Sequence, residues 1–271
     1  MNDDRGAERV EALSLDMSQG SRIIQLSPKV FEGMDNLRLL RFYFKDASWY
    51  DNPTKLGLPQ QGLEYLPNTL RLLRWDLYPS PSLPSNFSPE NLVHLEMWES
   101  SLTQLWEGEN VHLVNLKVCD LRRSKELIKI MDFSGVPNLE ELELRGCRSL
   151  VEIRSSIQLC WKLTKISVSH CVNLCGFPSD LGLTSLEVVR LGACPRIREL
   201  PKLPSTVKGL YLGRIGIKQV TAASIGHLTR LQKLSGGEIS GCMLSKIGFL
   251  NCLEELSFWG GPEVINSPES R

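Results

Sequence analysis

Apolar residues recur along this chain in a fixed order, with a spacing typical of very short strands. A clear unit contains Leu139, Leu142, Leu144, Cys147 and Leu150. Because alternate residues of a strand face the same side, Leu142 and Leu144 should point into a core together, and Glu143 between them should point away. The pattern therefore predicts one short strand per unit, with one face buried.

The same unit repeats through most of the chain. Its first apolar position falls at residues 10, 37, 70, 92, 116, 139, 163, 186, 207, 231 and 253. From residue 70 onward the intervals are 21 to 24 residues long, within the range of leucine-rich repeats. One unit cannot bury its apolar face alone, so the units must stack. The predicted fold is an α/β leucine-rich-repeat solenoid, with a curved parallel sheet on the concave face and short helices, 3-10 turns and loops on the convex face.

The quality of the repeats sets the expected domain limits. Residues 1–9 are expected to be a linker or disordered, residues 10–260 to form a domain of about 11 repeats, and residues 261–271 to be a frayed tail. The repeats are weakest at 231–252, where Gly236 replaces an apolar residue and suggests a bulge or kink. Neither end has the polar cap that solenoids need, which suggests a fragment or a truncated product.

Cysteines occupy one fixed slot of the repeat. Cys147, Cys171 and Cys194 fall where the chain leaves the strand, so they should form a ladder that bonds backbone groups of adjoining turns. We expect them to be reduced thiols. His170, Cys171 and Cys175 could instead belong to a metal site, but the repeat register already requires Cys171 in the core.

Composition and motifs give no support for catalysis. The 31 basic and 31 acidic residues balance, which does not favour nucleic acid or an anionic membrane as a partner. The sequence lacks an apolar run of membrane-spanning length, a signal peptide and a phosphate-binding loop. The four histidines lie in different repeats. We therefore expect a non-enzymatic chain without a cofactor or metal, located in the cytoplasm, with the nucleus as the alternative.

Function should reside in the outward position at the centre of each strand. Reading along the repeats, this position holds Ser14, Arg41, Arg74, Glu96, Asp120, Glu143, Ser167, Arg190 and Tyr211. Three consecutive acidic residues would lie about 4.8 Å apart and repel one another, so they are a candidate docking site. The alternative is that Arg122 and Arg145, two positions farther along their strands, neutralise them locally.

Aromatic residues add a second candidate, because exposed aromatics are enriched in binding hot spots. Those at or beside outward positions are Tyr43, Trp98, Tyr211 and Trp259. Trp98, flanked by Glu96 and Glu99, is the first choice. The complete candidate protein-binding surface comprises Arg41, Arg74, Glu96, Trp98, Asp120, Arg122, Glu143, Arg145, Arg190 and Tyr211.

A series of motifs in the first half of the chain goes beyond the generic repeat. In order they are 31–34 (FEGM), 37–40 (LRLL), 63–67 (LEYLP), 70–75 (LRLLRW), 78–79 (YP), 83–87 (LPSNF), 90–93 (ENLV), 105–108 (LWEG) and 115–117 (NLK). This series resembles the leucine-rich-repeat region of plant intracellular TIR-NB-LRR disease resistance proteins. The resemblance covers roughly residues 7–260. It weakens after Cys175, where segments such as 177–181 (FPSDL) replace the Leu-Pro-Ser-Ser-Ile common in the family.

The resemblance implies a recognition module of an innate immune receptor. Its implied partners are a pathogen effector or a guarded host protein, and the nucleotide-binding region of the parent receptor, which it would contact to hold the receptor inactive. The nucleotide-binding and TIR regions are absent from these residues. The alternative function is a stand-alone cytosolic repeat scaffold for signalling or ubiquitin-ligase assembly.

Overall fold

In the part of the chain that the structure describes, eleven parallel strands, one per repeat, form the main sheet. The computed structural model describes residues 4–18, 23–45, 56–59, 62–106, 112–215, 222–236, 248 and 250–258. In chain order the strands are β1 (Ala12–Asp16), β2 (Ile24–Gln25), β3 (Leu39–Tyr43), β4 (Leu56–Gly57), β5 (Leu72–Trp75), β6 (His94–Glu96), β7 (Val118–Asp120), β8 (Glu141–Glu143), β9 (Lys165–Ser167), β10 (Val188–Arg190), β11 (Gly209–Leu212), β12 (Lys233–Gly236) and β13 (Glu255–Phe258). All but β2 and β4, which pair with each other, join the main sheet in chain order. The predicted leucine-rich-repeat solenoid is confirmed.

The core lies directly behind this sheet. Leu142 pairs in register with Cys119 on one side and Ile166 on the other, and all three side chains are fully buried. Burial of the same two inward positions in every central repeat supplies the hydrophobic free energy that a single repeat lacks. The core is therefore one continuous cluster along the described repeats.

Few helices cover the opposite side. The structure describes 3-10 helices at Asp4–Arg9, Phe133–Gly135 and Ser155–Leu159, and one short α-helix, α1 (Ala222–Ile225). Asp132 caps the second of these 3-10 helices, because its carboxylate accepts the Ser134 N–H at 2.8 Å. The convex face thus consists of the short helices, 3-10 turns and loops that the repeat length predicts.

Cysteine and serine side chains form the predicted ladder behind the sheet. The thiols of Cys147, Cys171 and Cys194 donate to the carbonyls of Leu121, Leu144 and Val168 at 3.1, 3.1 and 3.0 Å. Burial raises the pKa of each of these three thiols, that of Cys194 to about 11. The side chains therefore stay protonated and able to donate. One repeat earlier, the Ser124 hydroxyl fills the same slot and donates to the Met97 carbonyl at 3.0 Å.

A second ladder runs through the turn just before that slot, where one residue of each central repeat has a left-handed backbone. The residues of this left-handed turn ladder are Leu77, Glu99, Arg123, Gly146, His170, Ala193 and Arg214, with φ between 50° and 81°. From Leu77 to Ala193, each donates its backbone N–H to a carbonyl in the following repeat, as Gly146 does to Ser169 at 2.8 Å. These bonds hold consecutive turns together at the edge of the sheet.

The first repeats contain a larger, aromatic core. Phe42 and Trp75 lie edge to face with ring centroids 4.5 Å apart, and Trp75 also packs edge-on against Tyr78 at 5.1 Å. Phe31 closes the cluster at 6.2 Å from Trp75. Burial raises the pKa of Tyr78 to about 12, so its hydroxyl stays neutral and donates to the Ser82 carbonyl. Large rings fill the space that leucines fill in later repeats.

One local expectation from the sequence is wrong. Strand β12 continues through Gly236 in regular register with Leu212 and Phe258, without the expected bulge or kink. A glycine needs no bulge here, because its neighbours can approach without leaving the ladder. The expected tail at 261–271 and Trp259 lie outside the described residues.

Candidate protein-interaction surface

The predicted outward positions do form one aligned row. Parallel register places Ser14, Arg41 and Arg74 opposite one another on β1, β3 and β5. The row continues through Glu96, Asp120, Glu143, Ser167, Arg190 and Tyr211 on the following strands. A second outward row lies two residues later in each repeat and includes Tyr43, Asp76, Trp98, Arg122 and Arg145. Together these rows form most of the concave face.

Arginine and aromatic side chains alternate across the first half of this face. The Arg74 guanidinium lies 5.3 Å from the Tyr43 ring centroid and 4.5 Å from that of Trp98. Arg122 approaches the same Trp98 ring from the following repeat, at 4.3 Å. A guanidinium over an aromatic face gains electrostatic energy from the ring quadrupole. The indole of Trp98 is thus held between two cations and is half-buried.

Carboxylates fix both of these arginines. The Arg74 Nε and Nη2 atoms donate to Asp76 at 3.2 and 3.0 Å. Arg122 donates to Asp120 from Nε at 2.9 Å and contacts it with Nη2 at 2.8 Å, while its backbone N–H also bonds that carboxylate. Two-pronged bonds of this kind fix the direction as well as the position of a guanidinium. We call the set formed by Tyr43, Arg74, Asp76, Trp98, Asp120 and Arg122 the arginine–aromatic network.

The acidic row differs from the sequence interpretation. Asp120 and Glu143 face the concave side, but they are only 7% and 6% exposed, so the expectation of an outward acidic stripe is wrong for these two residues. Arg122 covers Asp120, and Glu143 lies 3.6 Å from Lys165 and 3.9 Å from Arg122. Arg122 of the same repeat therefore neutralises Asp120, which confirms the alternative for this residue, while Lys165 from the next strand neutralises Glu143.

Glu96 is the most accessible member of the acidic row, although it too is partly buried. Desolvation by burial raises its pKa, the nearby Arg74 opposes that rise, and Asp120 adds to it. The Arg74 Nη1 atom is 3.7 Å from the Glu96 carboxylate. Glu96 therefore continues the network without presenting a free negative charge.

The remaining predicted surface residues are Arg41, Arg145, Arg190 and Tyr211. Arg41 stacks on Tyr43 at 4.7 Å, next to the network. Arg190 stacks on Tyr211 at 4.9 Å, four strands beyond the acidic row's first member. Arg145 is exposed and, in the described part of the chain, its side chain forms no ion pair; the alternative that it neutralises Glu143 is therefore wrong. The structure therefore brings the first seven candidates together, places Arg145 in a groove with Trp98 and Arg122, and leaves Arg190 and Tyr211 apart.

A groove opens beside Trp98, along the turns that follow β5 to β9. Its volume is about 510 Å³, and it is lined by Phe44, Asp76, Leu77, Trp98, Glu99, Arg122, Arg123, Lys125, Arg145, Gly146, Arg148 and His170. Several of these residues belong to the left-handed turn ladder. Sequence reading missed them because it followed only strand positions, and the spacing of about 23 residues between Arg123, Gly146 and His170 is the signal that could have found them.

The described residues also show how histidine, cysteine and acidic side chains are placed. They contain no cluster of three or more histidine, cysteine or acidic side chains placed to hold a metal ion. Their seven cysteines are all free, and only Cys175 and Cys252 are exposed. Within the same part of the chain, none of the helices has the length and apolar character needed to cross a membrane.

Comparison with solved structures agrees with the fold. The leucine-rich-repeat protein complex of Latrophilin 3, Unc5D and FLRT2 contains a chain that matches with a TM-score of 0.53 at 14% identity, covering 92% of this chain and 74% of that one. The Toll–Spatzle complex of Drosophila contains another, with a TM-score of 0.55 at 16% identity over 92% and 36% of the two chains. At such low identity these similarities establish the fold alone.

Sequence comparison is more specific. No protein-family model matches the chain. Disease resistance protein RPP2A of Arabidopsis thaliana is 38% identical over 234 residues, which cover 86% of this chain and 17% of that protein. Disease resistance protein RPS6 of the same plant is 39% identical over 84% of this chain and 19% of its own length. The chain thus spans less than a quarter of the length of these curated relatives. By repeat pattern, fold and sequence it belongs to the leucine-rich-repeat region of the plant TIR-NB-LRR disease resistance proteins.

Proposed function

We propose that this chain is the recognition module of a plant immune receptor and that it senses pathogen effectors through the arginine–aromatic network. Its relatives are disease resistance proteins, and two solved proteins of the same fold occur in complexes with other proteins. Recognition by such a module is a binding event, and the proposal involves no catalytic step.

The observation that carries the proposal is the position of Trp98. Its ring is half-buried between Arg74 and Arg122 at 4.5 and 4.3 Å, and both cations are anchored by carboxylates. A rigid aromatic surrounded by fixed arginines loses little conformational freedom when a partner binds. Tryptophan and arginine are also the residue types most enriched in interface hot spots.

A second contact, with the nucleotide-binding region of the parent receptor, is part of the proposal. In that arrangement the module would hold the receptor inactive until an effector displaces it. Each ligand would then act through its different affinity for the two receptor states, as a conformational switch requires.

The test compares two tryptophans. Trp98→Ala removes the network's central ring, and Trp161→Ala removes a ring that is 56% exposed in a turn outside the sheet and stacked on Lys162 at 4.7 Å. Both variants and the wild-type chain would be screened by biolayer interferometry against purified secreted effectors of a plant pathogen. We expect bound effectors to lose affinity about tenfold or more with Trp98→Ala, the effect of losing a hot spot worth about 2 kcal/mol, and little with Trp161→Ala.

Two outcomes would contradict the proposal. Equal affinity of the wild type and Trp98→Ala for every effector that binds would show that the network is not the recognition surface. If the chain bound no effector but bound a ubiquitin-ligase component, the scaffold function would replace the sensing function.

A further inference from the structure

The groove beside Trp98 has an excess of positive charge that the protein itself does not neutralise. Asp76 and Glu99 are the acidic residues lining it, and each already has a partner: Arg74 contacts Asp76 at 3.0 Å and Arg123 contacts Glu99 at 2.6 Å. Arg122 is likewise occupied by Asp120. The charges of these lining residues therefore cancel locally.

Three basic side chains in the groove lack such partners. Lys125, Arg145 and Arg148 are exposed, and none of them forms an ion pair with another described residue. They come from two consecutive repeats, so their positive charges reinforce one another along the groove. His170, on the next repeat, has a pKa lowered first by desolvation and then by Arg145 and Arg148. The groove thus has a local positive potential, in a chain whose total charge is zero.

The left-handed turn ladder contributes one glycine to the groove. Gly146 stands between Arg123 and His170 in the ladder, with φ of +81° and no side chain. A Cβ atom built there would lie 3.3 Å from Arg123 Cγ and 3.5 Å from its Cα. The Arg123 side chain therefore packs against the bare backbone of Gly146, and Arg145 and Arg148 flank that glycine within its own turn.

The groove also has an apolar end. Phe44, Leu77 and the half-buried Trp98 line the side nearest the arginine–aromatic network. A ligand that lies along the groove would thus contact apolar surface at one end and unpaired cations at the other. A protein segment with an apolar residue close to several carboxylates fits this order.

We propose that this groove binds an acidic segment of the partner protein, whose carboxylates lie at Lys125, Arg145 and Arg148. The inference rests on the proposed recognition function and adds the chemistry of the partner. A long polyanion such as nucleic acid needs a basic surface that follows its backbone over many phosphates. In this groove, by contrast, the basic side chains without an ion pair are three and come from only two consecutive repeats. Charge complementarity therefore favours a short acidic peptide.

The test uses a charge change at the groove and an identical change elsewhere. Arg145→Gln with Arg148→Gln removes two of the unpaired cations, and Arg196→Gln with Arg198→Gln removes two exposed arginines that line a separate cavity. The probe is a fluorescein-labelled twelve-residue peptide of aspartate and glutamate with one leucine. Its asparagine and glutamine counterpart and a single-stranded DNA 12-mer serve as comparison probes in fluorescence anisotropy.

We expect the acidic peptide to bind the wild type and the Arg196/Arg198 variant with equal affinity. The Arg145/Arg148 variant should bind it about tenfold more weakly, because the loss of each exposed ion pair weakens binding up to about threefold. Raising the salt concentration should weaken binding. Absence of acidic-peptide binding, equal losses in both double variants, or stronger Arg145-dependent and Arg148-dependent binding of the DNA would each overturn the inference.

The two proposals fail separately in these experiments. Suppose that an effector's affinity depends on Trp98 but not on Arg145 and Arg148, and that the acidic peptide does not bind. That result would contradict only the proposal that the groove binds an acidic segment. If the acidic peptide binds the groove but no effector depends on Trp98 for its affinity, the sensing function of the network is contradicted. The proposal that the groove binds an acidic segment would still stand. Thermal unfolding by circular dichroism should show the same melting temperature for both double variants, because all four arginines are exposed.

Discussion

The Asp120–Arg122 pair should stabilise the fold although it lies on the concave face. The Arg122 Nη2 atom is 2.8 Å from the Asp120 carboxylate, whose side chain is 9% exposed, while the guanidinium itself is 37% exposed. The informative perturbation is a double-mutant cycle with Asp120→Asn, Arg122→Gln and both changes together. Asparagine keeps an acceptor for the Arg122 backbone N–H, so the cycle isolates the charged contact.

The burial of the two partners sets the magnitude. Exposed ion pairs contribute about 0–1 kcal/mol, whereas removing one partner of a fully buried pair costs about 3–5 kcal/mol. Asp120 is nearly inaccessible, but water reaches Arg122 and screens the contact. Glu143 also remains 3.9 Å from Arg122 after Asp120 is replaced. We therefore expect a coupling free energy of about 1–2 kcal/mol.

Urea unfolding at pH 7, followed by circular dichroism and tryptophan fluorescence, measures this coupling. The matched control is the Lys117–Glu140 pair, which has the same 2.8 Å separation but is 51% and 40% exposed. Its cycle should give less than about 0.5 kcal/mol. Equal coupling in the two cycles would refute the reasoning, because it would mean that burial beneath the arginine–aromatic network does not strengthen the contact.

Three further changes test the fold and its groove. Leu142→Ala, at a fully buried position in the centre of the sheet, should lower the free energy of unfolding by about 2–5 kcal/mol. Leu256→Ala should lower it by less than half as much, because Leu256 is 39% exposed. The urea midpoints of the two variants would show the difference. Gly146→Ala should destabilise by about 1 kcal/mol because of its +81° φ, while Gly213→Ala, whose Cβ would meet open space, should leave the melting temperature nearly unchanged. Hydrogen bonds from Ser134 lower the pKa of Asp132. Its contribution to stability is therefore present above the unfolded-state pKa of about 4 and is lost as pH falls through the lower folded value, so Asp132→Asn should flatten the decline in melting temperature below about pH 4.

The repeat spacing predicts the sheet and the cysteine ladder because both depend on local order. Whether Leu142 faces the core follows from its distance to Leu139 and Leu144, and the slot of Cys171 follows from the same register. Neither requires knowledge of a distant part of the chain. The strand order, the inward positions and the thiol hydrogen bonds could therefore be predicted before any coordinates were known.

The candidate surface was less predictable, because its properties depend on several repeats at once. The sequence places Asp120 at an outward position, but its burial depends on the length and direction of Arg122. Likewise, Arg145 lies near Glu143 in the sequence, yet Lys165 from the next strand takes the place beside that carboxylate. Side-chain choice among neighbouring strands is a tertiary effect that the repeat pattern does not encode.

In the left-handed turn ladder, backbone hydrogen bonds hold the repeats together, whereas the side chains are left to contact a partner. Its bonds between repeats use backbone N–H groups and carbonyls, so they do not depend on which side chain each position carries. This chain places a leucine, a glutamate, an arginine, a glycine and a histidine at five successive rungs, and the strain of a non-glycine residue there costs only about 1–2 kcal/mol. The rungs can therefore vary in charge, size and polarity one at a time while the scaffold persists, which gives a receptor of this architecture a row of positions for acquiring new specificities.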